Sequence, residues 1–323
     1  MSALRAYGLI LLIGLLLALL PVVMQSNTLI NALVTSMIIA LAGQGWNLLG
    51  GYGGQFSFGH AAFFGMGAYA NAVLQARFGV NAYLALIVGT AVGALVGAII
   101  GYLSFRSGLR GSYFALITLA FAEVFRIIAN AAPITGGAAG TLIKLQVSPT
   151  NFQFESRAIY FWIILALVIV AMLMLRAIER HRFGAYLVAV RENEDAARAL
   201  GVDTLRVKLQ AITLSAGLTA LAGAFYVQYF LFVDASIGFG TWISIEALLA
   251  PIVGGLGTVF GPLFGALALH FLGEFAKLVA GRIPGIDLAL FGVLLILVVA
   301  FARDGLQGLL TRLAAGLGAR RPA

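Results

Sequence analysis

Cysteine is absent from the 323 residues, which excludes disulfides, thiolate metal sites and cysteine nucleophiles. Charge is scarce: Asp, Glu, Lys and Arg make up 10% of the chain, where a soluble domain has about 25%. A chain so poor in charge cannot cover a water-facing surface. With 62% hydrophobic residues and a mean hydropathy of +1.03, it sits in lipid. Lysine occurs at 144, 208 and 277, never after glycine, so the phosphate-binding P-loop is missing and the chain does not hydrolyse ATP by that route. Proline is sparse (7) and glycine abundant (40), and membrane helices are richer in glycine than soluble ones. The alternating ten-residue strands of a membrane barrel are also missing. What is left is an all-α integral membrane protein, since lipid offers no other way to satisfy backbone groups.

Ten apolar runs approach the ~20 residues a helix needs to cross a bilayer: 4–23, 27–49, 61–77, 80–105, 111–130, 158–177, 207–231, 242–259, 262–281 and 285–302. The first carries Arg5 at its start, as a signal peptide would, but its length and the missing A-x-A site favour an uncleaved first span. We read 1–323 as a single transmembrane domain. The net charge of +8 orients the chain rather than binding nucleic acid, because its basic residues are scattered between spans. With the N-terminus in the cytoplasm, 14 basic residues lie inside: Arg5, Arg106, Arg110, seven in 176–208, Arg303, Arg312, Arg320 and Arg321. Four lie outside: Arg77, Lys144, Arg157 and Arg282. Both termini are thus expected in the cytoplasm of a multi-pass membrane protein.

Charge concentrates in one internal stretch. Residues 176–208 hold 12 of the 32 charged side chains. The expectation is a cytoplasmic contact loop, 178–206, with a short helix over Glu194–Leu200 closed by Gly201 at C′. Glu192, Glu194 and Asp195 suit the positive end of its dipole, and Glu194 and Arg198 are an i, i+4 pair. Ala196, Ala197 and Leu200 form a small apolar face, either a docking face with Arg191 and the charges setting register, or a solvated surface helix.

Two glycine clusters follow a common GGxGxxF pattern, Gly50–Phe56 and Gly254–Phe260. The first includes Gly53, Gly54, Gln55, Ser57, Gly59 and His60, the second Gly254, Gly255, Gly257 and Thr258. Paired glycine-interrupted segments point to related halves and to broken or re-entrant helices lining a pathway; tight packing or plain turns would use the same glycines. Six crossings separate the clusters, so such a repeat would be parallel. His60 reads as a hydrogen-bonded packing residue, with no ligand at metal spacing near it. Glu123 and Arg126, at i, i+3 in the fifth span, are either a functional charged site or an internal ion pair. Glu246 raises the same question, and Glu274 with Lys277 is spaced for a simple pair. The outer loop 131–156, with Thr135, Gly136 and Gly137, is a candidate surface for an extracytoplasmic partner or a disordered connection.

These segments together resemble the permeases of branched-chain amino acid ABC importers, the LivM type. The resembling stretches are GGQFSFGHAAFFGMGAY (53–69), LRGSYFALITLAFAEVFR (109–126), TGG (135–137), RENEDAARALG (191–201) and GGLGTVFGPLFGA (254–266). In the fourth, Asp195 stands where the general motif of ABC importers has Glu. The resemblance implies a transport subunit that is not itself an enzyme and holds no cofactor. ATP and Mg would belong to two cytoplasmic ATPase subunits, one of which receives 191–201. A second homologous permease and a periplasmic binding protein would complete the assembly. Permeases for urea, short amides or sugars are the alternative within that class, and an ion-coupled secondary transporter using Glu123 or Glu246 is the alternative outside it.

Overall fold

The computed structural model describes residues 3–23 and 26–280, with scattered positions from 286 to 308. The expected tenth span, 285–302, and the basic residues 282, 303, 312, 320 and 321 fall outside the described residues, apart from a few positions in that span.

The described residues are helical almost throughout. In order come α1 (Ala3–Ala18), α2 (Leu20–Val23), α3 (Asn27–Trp46), α4 (His60–Phe78), α5 (Ala82–Arg106), α6 (Gly111–Ala131) and α7 (Arg157–Arg180). Then follow α8 (Arg182–Glu192), α9 (Glu194–Ala199), α10 (Thr204–Phe230), α11 (Ala235–Gly238), α12 (Thr241–Gly254) and α13 (Gly261–Ala280). Among the described residues, eight helical segments are long and apolar enough to cross a membrane. The expected third span, 61–77, is α4, which lies outside those eight. It is fully helical, and its first half is buried from His60 to Asn71 except at Met66 and Ala70.

Most span limits match the sequence pattern within about three residues; the exception is instructive. The run 242–259 stays apolar, yet α12 ends at Gly254. Gly255 (φ +136°) and Gly257 (φ +68°) take backbone conformations that side chains other than glycine's rarely adopt. Hydropathy does not register that break.

The core is built by close approach of α4, α5 and α10. Along α5, Gly89, Gly93, Gly97 and Gly101 recur every fourth residue and face α4 or α10. A Cβ at Gly93 or Gly97 would overlap the methyl of Ala220 or Ala216. Small residues at this spacing let helix backbones meet where no hydrophobic gain drives helices together in lipid.

Loop contacts fall into two sets that match the expected alternation of crossings. At one end, Arg110 pairs with Glu194 (3.3 Å) and Asp195 (3.1 Å). There too the Tyr52 hydroxyl donates to Glu179 (2.6 Å). At the other end, Asn81 donates to the Thr150 carbonyl (3.0 Å) and Arg157 to the Asn27 carbonyl (3.3 Å). A two-residue antiparallel pair joins β1 (Thr141–Leu142) to β2 (Phe232–Val233) at that end. A miscounted crossing would have brought loops from opposite ends together.

Candidate functional site

Both glycine clusters are breaks between helices, and the two breaks touch. After α3 the backbone widens into a π-helical turn over Asn47–Tyr52 and then runs extended to α4. After α12 the chain breaks at Gly255–Phe260 before α13. Asn47 holds the two together: its Nδ2 donates to the Thr258 carbonyl (2.9 Å) and its Oδ1 accepts from the Gly257 amide (2.8 Å). Gln44, one turn earlier on α3, donates to the Val259 carbonyl (2.8 Å). A Cβ on Gly51 would lie 2.8 Å from the Gly257 nitrogen, so the approach requires glycine. Thr258 accepts from the Gly261 amide (3.1 Å) and so caps α13.

The extended stretch after the first turn reaches membrane depth. Phe58 and Gly59 lie against Thr118, seven residues into α6, or about 10 Å from its end at 1.5 Å per residue. Irregular backbone at that depth must be covered by protein. Trp46 donates to the Ser57 carbonyl (2.7 Å), Ser244 accepts from the Ala61 amide (2.8 Å), and His60 bridges Ser57 (3.2 Å) and Ser215 (2.9 Å). His60 is fully buried and fits the hydrogen-bonded packing role expected of it. Gly53, Gly54 and Gln55 begin the stretch on the side of α8, where Leu187 packs against Gly53.

The charged loop folds into α8 and α9, and one side chain ties it to the breaks. Arg191 Nη1 donates to the Gly51 carbonyl (3.0 Å), while Glu192 accepts from its Nη2 (2.7 Å). Gly54 (φ +66°) lies on the Arg191 stem, and a Cβ on Gly257 would sit 3.6 Å from Nη1. One guanidinium thus meets both glycine turns.

Glu194 fixes α9 to its surroundings. Its carboxylate takes Lys208 (2.8 Å), Arg198 (3.1 Å) and Arg110 (3.3 Å), with Thr204 donating at 3.2 Å. Lys208 is buried and lies 4.9 Å from the Phe105 ring centre. Burial raises the Glu194 pKa, but Lys208 and Arg110 outweigh it and the net shift is downward. Asp195 is also lowered, first by its hydrogen bond from Arg110. Asn193 caps α9 by accepting from the amides of Asp195 (3.1 Å) and Ala196 (3.0 Å). At the other end Gly201 takes φ +88°, and the amides of Gly201 and Val202 bond back to Arg198 and Ala197, the C′ role expected of Gly201.

The expected apolar face is divided. Ala197 is buried at 3% exposure inside this chain, whereas Ala196, Asp195 and Arg198 face outward and Leu200 is 86% exposed. A helix turns about 100° per residue, so the adjacent alanines cannot share a side.

Other expected site residues lie apart from this junction. Glu123 and Arg126 form a two-pronged pair (2.6 and 2.8 Å) on a half-exposed face of α6. Glu274 and Lys277 pair at 2.7 Å. Glu246, partly buried on α12, makes no hydrogen bond or ion pair among the described residues. Thr135, Gly136 and Gly137 terminate α6 at the opposite end, where the Thr135 hydroxyl donates to the Ala129 and Ala132 carbonyls. Rather than a disordered connection, 131–156 is an ordered loop with exposed Leu142, Leu145 and Val147. Sequence reasoning missed Gln44, Asn47, Arg110 and the α5 glycine row. Polar side chains inside an apolar span and the four-residue glycine spacing were the available signals.

The family described as "Branched-chain amino acid transport system / permease component" matches residues 28–299. The high-affinity branched-chain amino acid transport system permease protein LivM of Escherichia coli K12 is 29% identical over 270 residues, 76% of this chain and 63% of that protein. The fructose import permease protein FrcC of Rhizobium meliloti is 28% identical over 232 residues, 69% of this chain and 63% of that protein. The autoinducer 2 import system permease protein LsrC of Salmonella typhi is 33% identical over 124 residues, 36% of this chain and 34% of that protein. The chain therefore spans under two thirds of the length of these relatives. Eight helices among the described residues that are long and apolar enough to cross a membrane, paired glycine breaks and a match running through nearly all of them lead to one conclusion: this multi-pass membrane protein belongs to the branched-chain amino acid transport system permease family.

Proposed function

We propose that this chain is the permease subunit of an ATP-binding-cassette importer for branched-chain, hydrophobic amino acids. The contact of Arg191 with Gly51, beside both glycine turns, carries the reading. A loop that only covered the membrane surface would not need a charged side chain inserted between two helix breaks. A push on the outward side of α9 would travel through α8 and Arg191 into the turns that begin α4 and α13. A hollow of about 230 Å³ beside Gly257 and Thr258 gives the second turn room to shift. Two cytoplasmic ATPases, holding ATP and Mg, would supply the push, one of them gripping Asp195, Ala196, Arg198 and Leu200. A second homologous permease would complete the pathway. A periplasmic binding protein would deliver the cargo to the outer loop, where Leu142, Leu145 and Val147 offer apolar contacts. Both termini would then be cytoplasmic, in the bacterial inner membrane, and this chain would hold no cofactor.

A sugar cargo is the second reading, favoured by the likeness to the fructose permease. Uptake of labelled leucine and fructose, in cells producing the chain together with ATPase, second-permease and binding-protein subunits, separates the two. The expected result is leucine uptake that stops on ATP depletion and falls about tenfold or more in Arg191→Gln, since a charged hydrogen bond is worth about 1.5–3 kcal/mol. Uptake by the chain alone, or uptake indifferent to ATP, would overturn the reading.

A further inference from the structure

Charge pairing in the loop is uneven. Arg110, Arg176, Arg191, Arg198 and Lys208 each meet a carboxylate. Arg182 and Arg206 meet none among the described residues, and both line one hollow of about 400 Å³ with His181, Phe183 and Tyr186. Asp203 is the acid in that lining, and it already accepts from the Arg206 amide (3.0 Å) as the cap of α10. Gly201 also lines the hollow, and a side chain there would meet nothing within 4 Å.

The hollow sits where the membrane-crossing helix α7 has just ended, at Arg180, and where α10 begins, at Thr204. That is headgroup height. Tyr186 is exposed beside it, as aromatic side chains are at the membrane–water boundary. Below Arg206, an exposed stripe continues down α10 through Gln210 to Leu214. Cations with Phe183 in the lining and Leu209 and Leu214 accessible further down α10 match an anionic group attached to an acyl chain better than a free anion.

We infer that this hollow binds the phosphate of an anionic phospholipid, between Arg182 and Arg206, with an acyl chain lying along the Gln210–Leu214 stripe. Held there, the lipid anchors the base of α10, and through Lys208 the α9 helix, to the membrane surface.

The full-length chain in detergent, titrated with phosphatidylglycerol, phosphatidylcholine or inorganic phosphate and followed by native mass spectrometry, tests this. Phosphatidylglycerol should bind in preference to phosphatidylcholine. The double substitution Arg182→Gln/Arg206→Gln should weaken phosphatidylglycerol roughly thirtyfold, the effect of two basic side chains near a membrane surface. Arg182→Lys/Arg206→Lys should keep most of the affinity, which reads the site even if the glutamine protein folds poorly. Lys144→Gln/Arg157→Gln, at the opposite end, should change nothing. Unaltered phosphatidylglycerol binding in the glutamine variant overturns the inference, as does equal loss in the control. Displacement of the lipid by inorganic phosphate would make it a free-anion site instead. Loss of ATPase co-purification with lipid binding intact would assign the hollow to a protein partner and overturn it likewise.

Discussion

Glu194, largely shielded, accepts from Lys208, Arg198, Arg110 and Thr204, and of these three cations Lys208 is the buried one. Removing one partner of a buried pair costs about 3–5 kcal/mol because the other charge is abandoned. Here Arg198 and Arg110 remain, so Lys208→Met should cost roughly 2–3 kcal/mol. Hydrogen exchange should detect it as faster exchange at the amides of α9 and the first turn of α10. Acid should loosen the same contacts. Glu194 and Asp195 both titrate below their ordinary range, so the stability they add is present above pH of about 4 and is lost as pH falls through the lowered values. Protection factors in α9, taken relative to the intrinsic exchange rate at each pH, should be flat from neutral pH to about 5 and fall below about 4. A fall near neutrality would point to a different titrating group. Neither carboxylate's partners were legible in sequence beyond the i, i+4 pairing with Arg198. Lys208 is fourteen residues away and Arg110 lies in another loop, and only the fold brings them in.

The α5 glycine row is a packing device, and its energetics can be separated from backbone freedom. Gly97→Val would drive a side chain into Ala216 on α10, and overpacking of this kind costs about 1–3 kcal/mol. The expected outcome is a lower melting temperature of the detergent-solubilised protein. Gly8→Ala, where a methyl would meet nothing within 4 Å, should leave melting unchanged or slightly raised. The four-residue spacing was readable without a structure, but the helices that the row meets, α4 and α10, were not. At α9 the sequence pattern showed the helix, its acidic start and its Gly201 stop. It did not show which alanine faces in, because that depends on the contact with α10. At the glycine breaks the pattern located both turns and their likeness. Their mutual contact through Asn47 was hidden, since the two lie more than two hundred residues apart.

At the scale of the whole molecule, alternation of crossings was the most legible feature. The contacts of Arg110 with Asp195 and of Asn81 with Thr150 sort the loops into the two sets that hydropathy and basic residues implied. The glycine-terminated end of α12 was not legible, because an apolar run continues through a break made by backbone geometry alone. On the proposed function, the outward side of α9 would face the cell interior and be gripped there by an ATPase. The chain has no native cysteine, so a single Ala196→Cys can be labelled without background. The decisive measurement is its reaction with a membrane-impermeant maleimide, in intact cells and in inverted vesicles, with and without the ATPase subunits. The account predicts labelling in inverted vesicles alone, and protection when the ATPases are bound. Labelling from outside intact cells, or equal labelling with and without ATPases, would contradict it.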